Sequence, residues 1–91
     1  MKKSEIVKNI SIILANLNTK TKHTHEYSRL LGGIEGMLIC IGKLEIQGDL
    51  PYSEVVETRV SWPGKVKTSK RKETYAELII RLATEVIREN L

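Results

Sequence analysis

The residues with the most chemical character in this chain are cationic. Lys65, Lys67, Lys70, Arg71 and Lys72 place five positive charges within eight residues, and Lys20 and Lys22 sit in a second polar stretch beside His23 and His25. Cations at this density attract polyanions, above all a nucleic-acid phosphate backbone, through charge and counterion release. Sequence readout is not expected. The chain has no helix-turn-helix spacing, no zinc-finger cysteine pattern and no RNA-recognition aromatic motif, and Trp62 and Tyr52 are the aromatics placed for base stacking.

Other chemistry is thinly represented. His23 and His25 could supply two metal ligands, but a third and fourth are not evident, so no metal site is expected. Cys40 lies among apolar residues and reads as a buried, inert thiol rather than a nucleophile. Glu35 stands near glycines as a lone carboxylate, and one carboxylate does not make an active site. With no P-loop and no GxSxG, the expectation is a non-enzymatic protein without cofactor.

These residues must be carried by a small fold. Ninety-one residues suit one domain with a modest core. Apolar residues make up 41% and fall in periodic segments, which favours a folded chain over disorder. Phenylalanine is absent, so Ile, Leu and Val must fill the core, with Tyr27, Tyr52, Tyr75 and Trp62 as the large pieces. A single cysteine rules out an internal disulfide and fits a reducing compartment. The opening MKKSEIVKNISIILANL is interrupted by Glu5, Lys8, Asn9 and Asn16 and does not read as a signal peptide. The uncharged run from Gly36 to Gly42 is too short to cross a bilayer. Cytoplasmic localisation and no membrane partner are expected.

The periodicity predicts a first helix over 4–18, with Ser4 as N-cap, followed by a basic loop at 19–25. A long helix is predicted over 25–47, with its stripe running from Tyr27 to Leu44 and Gly48 as its C-terminal glycine. Residues 50–62 fit two patterns. Tyr52, Val55, Val56, Arg59 and Val60 suit a helical face, whereas Val56, Thr58, Val60 and Trp62 suit a strand, with a β-hairpin turning at Pro63-Gly64. The helix is preferred. A last helix begins at Thr74, where Thr74 and Glu77 match a capping box, and Glu77–Arg81 and Arg81–Glu85 form four-apart pairs. The fold class is mainly α: one domain over 1–91, a small bundle of three long helices plus a short fourth element. An up-down-up-down path would bring loops 19–25 and 65–72 to one end, beside two helix N-termini that favour anions.

Glycine is the anomaly. Four of the eleven residues from Gly32 to Gly42 are glycine, each costing about 1 kcal/mol against alanine within a helix. A helical wheel gathers Gly32, Gly33, Gly36 and Cys40 on a flank beside the apolar stripe. Such a flank admits close approach by another helix of the chain, by a second copy, or by a flat ligand; a kink is the remaining reading.

The function expected is a small binding or regulatory protein whose basic end contacts nucleic acid or another polyanion, and which self-associates into a homo-oligomer. Two alternatives stand beside it. One is a protein-binding inhibitor or adaptor that meets an acidic surface, as a phage-encoded antagonist of a host defence enzyme would. The other is a binder of a small phosphorylated nucleotide ligand.

Overall fold

The computed structural model describes residues 2–45 and 50–90. Their order is α1 (Lys3–Asn18), α2 (His25–Cys40), β1 (Glu54–Ser61), β2 (Lys65–Lys72) and α3 (Tyr75–Glu89). The three helices pack on one another, and the two strands pair only with each other, antiparallel.

The helices share one core. Ile10 and Leu17 come from α1, Leu31, Ile34 and Leu38 from α2, and Leu78, Ile79, Leu82, Ala83 and Val86 from α3. Ile10 and Leu17 are seven residues apart, two turns, and the α2 and α3 sets recur at three- or four-residue spacing, so every helix turns one stripe inward. Thr24 caps α2 by accepting the Tyr27 N–H at 3.2 Å. At α3 the capping box forms as the sequence indicates: Thr74 Oγ1 accepts the Glu77 N–H at 3.3 Å, and Glu77 accepts the Thr74 N–H at 3.0 Å. Helix α1 starts one residue earlier than expected. Its N-cap is Lys2 rather than Ser4, and no side chain caps it.

Helix α2 ends at Cys40 instead of running to 47. Gly42 adopts φ 78°, its N–H reaches the Ile39 carbonyl at 3.0 Å, and the Lys43 N–H reaches the Leu38 carbonyl at 2.9 Å. This paired arrangement closes a helix around a left-handed glycine. Gly48, expected to end the helix, lies outside the described residues.

The largest correction concerns 50–72. The chain is not a bundle of three long helices plus a short fourth element. Residues 54–61 form no helix, and the basic run 65–72 is no loop; together they make a two-stranded antiparallel hairpin. The physical reason is cross-strand pairing. The β-branched residues Val56, Thr58 and Val60 face Lys70, Thr68 and Val66, and such side chains fit a paired strand better than they fit a helix, where their χ1 freedom is restricted. The turn is closed by the Gly64 N–H on the Ser61 carbonyl at 2.6 Å, with Gly64 at φ 97°.

The hairpin projects from the helices. Every residue from Thr58 to Lys70 is exposed. The molecule measures 55 × 28 × 27 Å, and its radius of gyration of 15.7 Å exceeds the roughly 12 Å of a compact domain of this length. Eight residues per strand, at about 3.3 Å each, make an arm about 25 Å long.

Candidate nucleic-acid interface

The base of the arm is held by two arginines. Arg81 of α3 donates to Glu73 through Nε at 3.0 Å and Nη2 at 3.1 Å, and to the Pro51 carbonyl at 2.8 Å. Glu73 is 7% exposed and also accepts the Ser53 N–H at 3.1 Å. Arg81 thereby ties together both strands' approaches to the helices. It holds the Glu73 carboxyl below its ordinary range, with the Ser53 N–H adding to the effect and burial opposing it.

Arg71 is the second clamp. It grips Glu77 with two parallel bonds, at 2.6 and 2.9 Å, and its Nε donates to Glu57 of β1 at 2.5 Å. Arg71 brings the Glu77 carboxyl down to about 2, helped by the Thr74 N–H, and its own proton is held more tightly in return. The expected Glu77–Arg81 pair is therefore replaced by Glu77–Arg71 and Glu73–Arg81, while Arg81–Glu85 forms at 3.3 Å.

The register sorts the arm's side chains into two faces. Directly paired residues share a face, and alternate residues swap faces. One face carries Arg59 opposite Lys67 and Ser61 opposite Lys65, with Val55–Arg71 and Glu57–Ser69 nearer the helices. The other carries Val60 opposite Val66, Thr58 opposite Thr68, Val56 opposite Lys70 and Glu54 opposite Lys72. The outer half of the first face is thus a cationic cluster of Arg59, Lys65 and Lys67. Among the described residues no carboxylate pairs with these three. Arg59 escapes a sequence reading that assigns it to a helix face, because its grouping with Lys65 and Lys67 depends on the strand register.

The other expected cations have different surroundings. Lys70 lies on the valine side of the arm. Lys72 sits over the Tyr52 ring, 4.8 Å from its centre. Lys20 pairs with Glu26 at 3.4 Å. Lys22 and His23 line a cleft of about 460 Å3 with Tyr27, Arg71, Thr74 and Tyr75. Loop 19–24 therefore meets the arm at its base, beside Arg71, and not at its tip. At about 3.3 Å per residue, Lys65 lies roughly 23 Å along β2 from Lys72, so the single compact basic end becomes a basic arm with a small basic foot.

The glycine flank is also open. Gly32, Gly33, Gly36 and Cys40 are all exposed, and a Cβ built on any of the three glycines meets nothing within 4 Å. Among the described residues no helix makes the close approach considered above, and Cys40 is not the buried thiol expected. Gly33 instead borders a groove of about 370 Å3 with Ile13 and Leu30. Among the described residues no three His, Cys, Asp or Glu side chains gather as metal ligands, and no helix is long and apolar enough to cross a membrane.

No protein-family model matches the chain, and no curated protein or solved structure matches it.

Proposed function

We propose that this is a non-enzymatic nucleic-acid-binding protein whose arm lays Arg59, Lys65 and Lys67 against the phosphate backbone. The observation that carries this reading is the clustering of three cations, without a carboxylate partner among the described residues, on the outer face of a projecting two-stranded ribbon. A ribbon of this kind fits the major groove, which is about 12 Å wide and accepts two paired strands. Lys70 extends the positive field towards the base, and Lys20 and Lys22 add to it from the neighbouring loop. Arg71 and Lys72 serve the reading indirectly: Arg71 fixes the arm's direction, and Lys72 covers Tyr52. Lysines bound to phosphate position a protein without reading sequence, so binding is largely independent of base order.

The test is anisotropy of a labelled mixed-sequence oligonucleotide, duplex and single-stranded, titrated with pure protein between 50 and 200 mM salt, the range over which phosphate contacts weaken steeply. Binding that weakens with salt supports the proposal. No binding at the lowest salt overturns it and leaves the cationic face to an acidic protein surface.

A further inference from the structure

Stacking on a base needs a free aromatic face, and the fold leaves the chain one. Tyr27 is buried, and Tyr75 is half-buried with its hydroxyl donating to Glu35. Tyr52 lies against the core under Lys72, whose ammonium is 4.8 Å from the ring centre. Trp62, which opens the turn between β1 and β2 at the far end of the arm, is 96% exposed.

We infer, resting on the nucleic-acid reading, that the arm's substrate is nucleic acid with unpaired bases, and that Trp62 selects it by stacking on a base beside the backbone that Arg59, Lys65 and Lys67 hold. Trp62 directly follows Ser61, whose cross-strand partner is Lys65. The Arg59–Lys67 row lies two residues further in, about 7 Å. A strand lying along the arm therefore meets the indole and then the three cations in succession. Every base has a π-face, so stacking adds affinity without reading base order, as the phosphate contacts do. In an intact duplex both faces of each base are covered by its neighbours, and an inserted ring must first unstack a step. An unpaired base offers its face at much lower cost. The cations thus serve duplex and single strand alike, and the indole favours the unpaired base.

The lengthwise run of cations favours a linear polyanion over a lipid surface. A flat anionic surface met end-on by the indole would reach Lys65 and leave Arg59 and Lys67 two residues behind. A strand lying along the arm reaches all three.

Two duplexes of equal length test this, one intact and one with a run of unpaired thymines inside, so that charge is matched and base exposure is not. Wild type should bind the interrupted duplex more tightly, by about 5- to 150-fold for one stacked base. Trp62→Ala should abolish that preference, and Trp62→Phe should keep most of it. The indole touches nothing in the fold, so circular dichroism should be unchanged in both variants. On the interrupted duplex, the slope of log K against log salt should also be unchanged in Trp62→Ala, because stacking releases no counterions. Trp62 is the sole tryptophan, so its emission should be quenched by the interrupted duplex and much less by the intact one. A Trp62→Ala chain with the wild-type preference overturns the inference, as does one that weakens equally on both duplexes. So does emission that shifts to the blue on phosphatidylserine vesicles and stays unchanged on the interrupted duplex, which would give the tip to a lipid surface. Salt-dependent binding by wild type with no preference between the duplexes removes the stacking role alone, whereas no binding to either at the lowest salt removes the nucleic-acid reading with it.

Discussion

Arg71, one residue before the end of β2, and Glu77, in the first turn of α3, are joined by two parallel hydrogen bonds of 2.6 and 2.9 Å. The same guanidinium reaches Glu57 on the opposite strand, so one side chain joins both strands of the arm to the helical body. Among the described residues the arm has no apolar packing beyond its base, where Leu50 and Tyr52 lie against the core. Its direction therefore depends on polar contacts.

Arg71→Ala is expected to loosen the arm without melting the helices. Hydrogen exchange of the β1 and β2 amides should quicken, while amides of α3 around Leu78 and Leu82 keep their protection. Uniform loss of protection across the helices would show that Arg71 supports the whole fold.

Arg81→Ala should cost more, about 2–3 kcal/mol, because it strands the buried Glu73 carboxylate without its cation. Pairing it with Glu73→Gln should recover much of that loss, since the penalty comes from the unpaired charge rather than the missing contact. Urea denaturation of the single and double variants measures this. A double variant as unstable as the single would locate the cost in Arg81's bond to the Pro51 carbonyl instead.

Acid should act on the Arg71–Glu77 junction in a defined window. Glu77 is held at about 2 against an ordinary 4.5, chiefly by Arg71, so its contribution is fully present above about 4.5 and is lost as the pH falls through 2. Glu73 is shifted in the same direction by Arg81. The urea midpoint of the wild type should fall across this window. Glu77→Gln should have a lower midpoint at neutral pH and a flatter acid limb, with the residual slope belonging to Glu73. An unchanged acid limb in that variant would contradict the assignment.

The glycines should divide by conformation. Gly36 is helical with open space around its Cβ direction, so Gly36→Ala should stabilise by about 0.5–1 kcal/mol, and Gly36→Leu should leave the mass in solution unchanged. Gly42 has φ 78°, and Gly42→Ala should destabilise by roughly 1 kcal/mol through strain. Destabilisation at Gly36 would mean that a second molecule packs against that flank.

The helices were legible because each buries a stripe recorded in its own residues, as Leu78, Leu82 and Val86 do, and because Thr74 and Glu77 cap α3 within four residues. The arm was legible only as the less favoured of two patterns, a hairpin turning at Pro63-Gly64, for a matching reason. Lys65, Val66, Lys67, Thr68, Ser69 and Lys70 face water on both sides of a two-stranded ribbon, so β2 shows no apolar alternation and reads as a loop. Without a visible partner, the valines of β1 fit a helix equally well, and strand pairing is a relationship between segments rather than a property of either. Gly42 did carry a local signal, a glycine followed by Lys43, but the apolar stripe continuing to Leu44 hid it. The cations of the site were readable as residue types. Their division into a cationic and a valine face depends on a register that single-segment patterns do not contain.

The most direct test of the central claim is the salt dependence of nucleic-acid binding in the triple variant Arg59→Gln, Lys65→Gln, Lys67→Gln. These side chains are exposed, so the melting temperature should barely move. Plotted as log K against log salt, the slope for a duplex should flatten by about 0.9 for each phosphate contact removed, or about 0.7 each on a single strand, with a large loss of affinity at low salt. A triple variant that binds with the wild-type affinity and slope would contradict the claim that the arm's cationic face is the binding surface.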